Sequence, residues 1–360
     1  MLRAGLIGLP STGKKTLFRL LTGVSDHTEN ATLGRQESQV GIAQVPDLRL
    51  DHLTAIFEPR RQVNATVEVT ELTGHGSASM LDVSGFRNAD ALLHIVRMFT
   101  DARVPHVDGE IDPSRDLQRM EDELILADLA VAERRLDKLK QDSKRGKNTE
   151  VEEETRLIQH CQSALEKGIP LRSIELNTVD TKRIRGFSFL SARPLLVVLN
   201  LDEADVSDPS KAIEQAGLDK VLSGSSIEVV HVCAKIELEI AQLAVTDRAA
   251  FLSDIGLLDS GLDRVVRACY TLLGYISFFT VGTDECRAWS VPLDTAAQEA
   301  AREIHSDIAR GFIRAEVVPY EALKARDGSH VACREHGEVR LEGKEYLVKD
   351  GDVINFRFAV

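Results

Sequence analysis

Gly8-Leu9-Pro10-Ser11-Thr12-Gly13-Lys14-Lys15-Thr16 follows an apolar run from Leu2 to Leu9 and leads into leucines at positions 17, 20 and 21. This order predicts a strand, a glycine-bounded loop and the start of a helix. The backbone N–H groups of such a loop, the positive end of the helix dipole and a lysine ammonium together hold phosphates. A Ser or Thr ordinarily follows the lysine and binds Mg²⁺ through its hydroxyl, but this position is Lys15. The stretch therefore predicts a phosphate site with an altered metal position.

The composition is typical of a soluble globular protein with two or three domains. The 360 residues are 43% hydrophobic and 28% charged. No segment approaches the roughly twenty uninterrupted apolar residues of a membrane span, and the N-terminus lacks a signal-peptide pattern. We therefore expect a cytoplasmic protein without a membrane partner. Five scattered cysteines without a CxxC pair argue against a disulfide framework or a zinc site.

Apolar runs alternate with helical stretches over residues 1–112 and again over residues 189–275. The runs predict strands at 2–9, 40–45, 65–72, 91–99, 194–200 and 227–233. Helices are predicted to begin near 17 and to span about 48–57 and 262–273, and the polar stretch 26–39 is interpreted as a loop. Strands that alternate with helices indicate an α/β domain with a mostly parallel sheet. We expect one such α/β domain in two parts, 1–112 and 189–275.

Residues 113–188 interrupt this pattern and carry almost no β signal. Apolar residues recur there at steps of four and three, the spacing of a coiled-coil seam: Ile125, Leu129, Ala132, Leu136 and Leu139. A break at 143–148 precedes a second apolar stripe, for which Thr149 and Glu152 predict a capping box. We therefore expect an inserted helical hairpin.

The first arm and the turn of this hairpin are rich in basic residues: Arg134, Arg135, Lys138, Lys140, Lys144, Arg145 and Lys147. They form either a solvated helix face or a contact point for RNA phosphates. The net charge of −13 argues against non-specific coating of nucleic acid, and we expect no DNA partner. Any RNA contact would have to use a local patch such as this one.

Residues 276–360 return to short alternating runs at 278–281, 288–291, 316–318, 345–348 and 353–358, around a predicted helix at 296–308. This pattern predicts a small, separate α+β domain.

Two polar stretches follow late strands, where a nucleotide-binding domain needs loops that read the base. They are Asn200-Leu201-Asp202-Glu203 and Cys233-Ala234-Lys235-Ile236-Glu237. Guanine-specific proteins usually carry Asn-Lys-x-Asp in the first loop, with the Asp accepting from the guanine N–H edge. Glu203 is longer than Asp and Leu201 replaces the lysine, so this clamp is altered.

The chain resembles the YchF family, which comprises Obg-type P-loop nucleotidases of the translation-factor-related class. The stretches that carry the resemblance are GLIGLPSTGKKTLF, VPDLRLDHL, ELILADL, VLNLDE, CAKIELEIAQL, SGLDRVVRACYTLLG, FFTVGTDECRAW, GFIRAEVVPYE and DGDVINFRF. The resemblance implies a nucleotidase domain with an inserted helical hairpin and a C-terminal TGS domain, a ubiquitin-like β-grasp fold. It also implies a preference for ATP over GTP, slow ATP hydrolysis and association with the ribosome and its RNA.

The resemblance assigns site residues to this chain position by position. Lys14 is assigned to phosphate binding and is also an expected catalytic residue. The backbone of the loop is assigned to phosphate binding as well: Ser11, Thr12, Gly13, Lys14, Lys15 and Thr16. Binding of the base is assigned to the two late loops: Asn200, Glu203, Cys233, Ala234 and Lys235. The expected cofactor is ATP, with GTP as an alternative.

The departures from the family pattern lie around the metal. The family has Asn at Ser11, which is linked to potassium, and a metal-binding Ser at Lys15; its switch residues Thr and Asp fall on Arg35 and Glu71. Lys15 beside Lys14, with Arg35 closing over them, can supply positive charge in place of Mg²⁺. Alternatively, Lys15 points to solvent and Thr16 or Thr12 takes the metal role.

His75 follows Gly74, at the place where Ras-type proteins carry a water-orienting glutamine. It is either a group that positions water or acts as a base, or a solvated loop histidine.

Two functions remain open at this point. One is a slow ATPase that acts as a ribosome-associated switch in translation or stress response. The other is a turnover-deficient nucleotide sensor or ribosome-binding module, which the changes at Lys15, Arg35 and Glu71 favour.

Overall fold

The computed structural model describes residues 2–24, 37–73, 83–144, 148–218 and 227–359. They form two compact units, each described by itself below. The larger unit comprises Leu2–Ile42 and Glu68–Val265, and the smaller unit comprises Ala43–Val67 and Val266–Val360. Several residues discussed above lie outside the described ranges: Arg35, Gly74, His75, Arg145, Lys147 and residues 26–36 of the predicted loop. No helix of the described residues has both the length and the apolar character needed to cross a bilayer.

The strands, numbered in chain order, are β1 (Leu2–Ile7), β2 (Glu37–Gln44), β3 (Arg61–Val63), β4 (Thr66–Thr73), β5 (Ala91–Arg97), β6 (Leu195–Asn200), β7 (Glu228–Val232), β8 (Tyr275–Thr280), β9 (Glu285–Pro292), β10 (Phe312–Pro319), β11 (Arg340–Glu342) and β12 (Asp352–Phe358).

The helices are α1 (Lys14–Thr22), α2 (Leu48–Phe57), α3 (Pro113–Ser143), α4 (Thr149–Leu165), α5 (Thr178–Ile184), α6 (Pro209–Gln215), α7 (Ala234–Gln242), α8 (Val245–Asp254), α9 (Gly261–Leu272), α10 (Ala297–Ile304), α11 (Ser306–Arg310), α12 (Tyr320–Ala325) and α13 (His330–Glu335).

The sheet of the larger unit has the strand order β2-β4-β1-β5-β6-β7. The pairs β1–β5, β5–β6 and β6–β7 are parallel, which confirms the predicted α/β fold with a mostly parallel sheet. Every residue of β5 and β6 is buried, as expected for parallel strands that are covered on both faces. These continuous apolar runs are the reason why the strands could be recognised.

Strand β2 begins earlier than expected, since residues 37–39 belong to it and not to a loop. The strand lies at the edge of the sheet, and Val40 and Ile42 on it are exposed. An edge strand needs no continuous apolar run, because one side of it faces solvent. The polar residues that open β2 therefore gave no strand signal.

Helices α3 and α4 pack along each other through a cluster of buried residues that includes Leu136, Leu139, Ile158 and Cys161. The N-cap of α4 is Asn148, whose side chain accepts from the N–H of Glu150, so the predicted capping box at Thr149 was wrong by one residue.

The buried carboxylate of Asp128 anchors α3 to the segment before β6. It accepts the backbone N–H groups of Leu190 and Ser191 at 2.9 and 2.7 Å, and the guanidinium of Arg87 lies 3.8 Å away. The helix pair is thereby fixed to the sheet of the larger unit through a residue that the apolar periodicity does not reveal.

The smaller unit has its own sheet, in the order β11-β10-β12-β8-β9-β3. Strand β3 pairs in parallel with β9, with Arg61 opposite Glu285. In addition, the Arg49 guanidinium contacts the carboxylate of Asp350, the shorter N–O distance being 2.6 Å. Residues 43–67, which the sequence division placed in the first part of the nucleotidase domain, therefore lie with the C-terminal unit.

Two further expectations for the smaller unit were wrong. The helix predicted at 296–308 is divided at His305, whose extended backbone (φ −163°) separates α10 from α11. Residues 345–348 form no strand in the described chain, since only a single bridge joins Leu347 to Ala296. Short alternating runs of this kind do not distinguish a strand from an extended segment that packs one side chain inward, as Val348 does.

Candidate functional site

Parallel pairing brings three of the predicted loops to one edge of the larger unit's sheet. Ile7, the last residue of β1, lies opposite His94, and Asn200, the last residue of β6, lies opposite both Arg97 and Val232. The loops that follow β1, β6 and β7 therefore meet at the carboxyl ends of the strands, the usual position of a ligand site in an open α/β sheet.

The loop between β1 and α1 depends on its two glycines. Gly8 and Gly13 have φ values of 145° and 100°, and Ser11 has a φ of 63°. A Cβ atom on Gly8 would lie 2.5 Å from the carbonyl oxygen of Ile95, and one on Gly13 would lie 2.5 Å from Nδ2 of Asn200. Neither close approach leaves room for a side chain, so these glycines let the loop fit against its neighbours.

Lys14 folds back over the loop. Its ammonium donates to the carbonyl oxygens of Gly8 and Leu9 at 2.8 and 2.6 Å, and the hydroxyl of the buried Thr12 donates to the same Leu9 oxygen at 3.1 Å. Burial lowers the pKa of Lys14 from 10.5 to about 8, against the opposing effect of the Glu71 charge. An entering phosphate can exchange these carbonyl contacts for its own oxygens.

Helix α1 begins at this loop with Gly13 as its N-cap, and no described side chain caps it. The first N–H groups of a helix have no intrahelical partner and carry partial positive charge. The helix start and the Lys14 ammonium therefore present adjacent donors to an anion.

Asn200 joins all three loops. Its Nδ2 donates to the carbonyl oxygen of Thr12 at 3.0 Å, and its Oδ1 accepts from the backbone N–H of Ala234 at 3.0 Å. The side chain is buried, with 2% of its surface exposed. Both ends of the amide are satisfied, so Asn200 fixes the spacing between the phosphate loop and the loops that follow β6 and β7.

The two late loops meet a second time at their outer ends, where Glu203 and Lys235 form an exposed ion pair. Asp202 shapes this corner by accepting from the N–H groups of Thr100 and Glu203 at 3.2 and 2.8 Å. Cys233 is buried beside them, and burial raises the pKa of its thiol.

Glu71, on β4, introduces a carboxylate into the same surroundings. It is 4% exposed, and none of the described residues donates to its buried Oε2. Burial raises the pKa of Glu71, and the nearby charges of Lys14, Lys15 and Arg19 oppose that rise. Three cations therefore lie near one carboxylate beside the phosphate loop.

The structure thus brings together the predicted residues of the first loop, of the second loop (Asn200 and Glu203) and of the third loop (Cys233, Ala234 and Lys235). His75 and Arg35 lie outside the described residues, and their roles stay predictions.

Sequence reasoning missed Asp202 as a supporting residue of the site, and also His94 and Arg97 on β5. His94 is fully buried, and burial lowers its pKa to about 3, so it is neutral. Arg97 donates to the carbonyl oxygens of Phe99 and Val104 at 3.1 and 2.9 Å. Polar residues inside the apolar run of β5 were the available signal for both.

Comparisons with known proteins find one family model and several relatives that cover the full length of the chain. The family model YchF-GTPase_C, described as a protein of unknown function (DUF933), matches residues 275–359. A relative from Bacillus subtilis (strain 168) named ribosome-binding ATPase YchF is 40% identical over 367 residues, covering 100% of both chains. A relative of the same name from Escherichia coli O157:H7 is 35% identical and covers 99% of each chain.

Solved structures share the fold. The structure of the Schizosaccharomyces pombe YchF GTPase matches with a TM-score of 0.85 and 26% identity, covering 99% of this chain and 97% of that chain. A GTP-binding protein from Pyrococcus horikoshii OT3 matches with a TM-score of 0.56 and 16% identity, covering 99% of this chain and 100% of that chain.

Proposed function

This chain belongs to the YchF family, and from that premise we propose that it is a ribosome-associated P-loop protein that binds ATP. The observation that carries the proposal is the pair of hydrogen bonds through which Asn200 ties the phosphate loop to the two late loops. An isolated glycine-rich turn would not need such a connection. The names of the relatives, ribosome-binding ATPases, support the same function.

We assign the phosphates to the first loop. The N–H groups from Ser11 to Thr16 hold the phosphate oxygens, and the Lys14 ammonium turns from its carbonyl partners toward them. During phosphoryl transfer the same ammonium stabilises charge on the transferred group, since catalysis of this reaction rests on positioning and charge.

The base lies between the late loops in this proposal, and their chemistry favours adenine. Adenine presents an amino group at the position where guanine presents the O6 acceptor. The Glu203 carboxylate accepts from such an amino group. The N–H of Ala234, which could otherwise donate to guanine O6, already donates to Asn200. GTP is the alternative nucleotide, because the ammonium of Lys235 is a donor at the same corner.

We further propose that α3 and α4 form the coiled-coil hairpin of the family and that the sheet of the smaller unit is its TGS domain. For the ribosome contact, the described basic residues of α3 give mixed support. Arg135 is paired with Glu154 and Lys140 with Asp137, which suits a solvated helix face. Arg134, Lys138 and Lys144 are exposed and are the residues we assign to RNA phosphates.

The site is compatible either with slow hydrolysis of ATP or with ATP binding that leads to no hydrolysis. A slow ATPase switch requires only the positioned Lys14 and a water. A turnover-deficient sensor is favoured by one observation, the group of three cations around Glu71 where the metal would act. Single-turnover hydrolysis with ribosomes present separates the two, since a sensor would leave bound ATP intact.

Competition between ATP and GTP for the full chain tests the base assignment, with Glu203→Asp as the matched variant. We expect ATP to bind more tightly and the variant to shift the preference toward GTP. A preference for GTP of more than about tenfold in the unmutated protein, roughly 1.4 kcal/mol, would contradict the adenine assignment. Co-sedimentation with ribosomes, with and without ATP, tests the partner: the proposal fails if the protein stays in the supernatant under both conditions.

A further inference from the structure

The position that ordinarily binds Mg²⁺ in a phosphate loop is the hydroxyl directly after the lysine. Lys15 occupies it here, in the first turn of α1, and is exposed. Thr16 is one residue further along, and neighbouring helix residues point about 100° apart around the axis. It therefore cannot direct its hydroxyl to the same place while α1 stays helical.

Thr12 is also a poor substitute. Its hydroxyl is buried inside the loop and donates to the carbonyl oxygen of Leu9 at 3.1 Å. Turning this hydroxyl outward would break a bond inside the loop and leave a buried oxygen without its donor. Neither Thr16 nor Thr12 therefore offers a hydroxyl in the position that the metal ordinarily uses.

Charge argues in the same direction. The charges of Lys14, Lys15 and Arg19 all act on Glu71, so three positive groups lie in the vicinity of this carboxylate. These positive groups repel an entering divalent cation and attract a triphosphate. Mg²⁺ also requires near-ideal octahedral oxygen ligands, and an ammonium cannot be one of them. The residues present do not fit the metal.

We propose that this site binds its nucleoside triphosphate without Mg²⁺ and that the Lys15 ammonium takes the metal's place beside the β- and γ-phosphates. The inference rests on the proposed nucleotide function of the same loop.

Replacing Mg²⁺ by the Lys15 ammonium should slow phosphoryl transfer. An ammonium is a point charge on a flexible stem and does not impose a fixed geometry on the phosphate oxygens. Phosphoryl transfer depends mainly on such positioning. Loss of the metal should therefore reduce the rate of ATP hydrolysis more than the affinity for ATP. Added Mg²⁺ should not restore hydrolysis.

The test is titration of the full unmutated chain with ATP by calorimetry, once in EDTA and once in excess MgCl₂. We expect the Kd for ATP in EDTA to be no more than about threefold higher than the Kd in MgCl₂. Binding that is more than about tenfold tighter with Mg²⁺, a gap of roughly 1.4 kcal/mol, would overturn the inference and leave the proposed function intact. Absence of ATP binding in both buffers would overturn the inference and the proposed function together.

Two variants sharpen the result. Lys15→Ser restores the hydroxyl, and we expect weaker binding in EDTA and at least a tenfold gain on addition of Mg²⁺. Lys15→Gln removes the charge and supplies no hydroxyl, so it should lose affinity in EDTA and gain nothing from Mg²⁺. A Lys15→Gln protein that binds ATP in EDTA as tightly as the unmutated chain would show that the ammonium does not contact the phosphates.

Discussion

The side-chain amide of Asn200 donates to the carbonyl oxygen of Thr12 at 3.0 Å, across the gap between the loop after β6 and the phosphate loop. The same amide accepts from Ala234. One buried side chain therefore sets the distance between the place where phosphates would lie and the place where a base would lie.

Replacing Asn200 by Ala should weaken ATP binding by at least tenfold, as measured by calorimetry. The change leaves a buried N–H of Ala234 and a buried carbonyl of Thr12 without partners, each at a cost of about 1–3 kcal/mol. Asn177→Ala is the control, since Asn177 caps α5 and its loss should lower stability without changing ATP affinity. Equal ATP affinity of Asn200→Ala and the unmutated protein would refute the role assigned to Asn200.

The affinity for ATP should depend on pH through Lys14. Its pKa in the free protein is lowered to about 8 by burial, and phosphate binding requires the charged ammonium. Affinity should therefore be constant below a pH of about 8 and fall by roughly tenfold per pH unit above it. Other charged groups near Lys14 are Glu71, Lys15 and Arg19. Lys14→Arg is the control, because a guanidinium stays protonated throughout this range; an unchanged alkaline decline in this variant would assign the titration elsewhere.

A methyl group at Gly13 should remove ATP binding, whereas one at Gly23 should not. The Cβ of Gly13→Ala would lie 2.5 Å from Nδ2 of Asn200, and that of Gly23→Ala meets no described atom within 4 Å. Both residues have positive φ, 100° and 67°, so both variants carry a backbone strain of about 1 kcal/mol. Comparable loss of ATP binding in the two proteins would show that strain, and not the contact with Asn200, controls the site.

Replacing Asp128 by Ala should lower the free energy of unfolding by about 3 kcal/mol, because two buried N–H groups lose their acceptor. Asp137→Ala removes an exposed carboxylate of the same helix, paired with Lys140, and should cost less than about 0.5 kcal/mol. Urea denaturation measures both. If Asp128→Ala lowered the free energy of unfolding no more than Asp137→Ala does, Asp128 would not anchor α3.

Much of the fold follows from the sequence because parallel strands covered on both faces must be apolar throughout. Strands β5 and β6 satisfy that rule apart from His94, Arg97 and the terminal Asn200, and the order of elements then places the three loops at one edge. Lys14, Asn200 and Ala234 could therefore be grouped from their positions in the chain alone.

The features that could not be predicted depend on contacts between residues that are distant in sequence. Arg61 and Gln62 carry no apolar signal, yet their backbone adds a strand to the sheet of the smaller unit. Asp202 bonds to the N–H of Thr100, and its role requires that the two loops already be adjacent. Likewise, the proximity of Lys15 and Arg19 to Glu71 arises only when α1 and β4 are both in place.

All of the proposed functions require that ATP bind at the loop between β1 and α1 through Lys14. Calorimetric titration of the unmutated chain and of Lys14→Ala with ATP, at neutral pH and with thermal unfolding to verify that both are folded, tests it most directly. We expect saturable binding to the unmutated protein and a loss of at least about a hundredfold, roughly 2.7 kcal/mol, in the variant. Equal affinity in two folded proteins, or no binding to the unmutated chain, would contradict it.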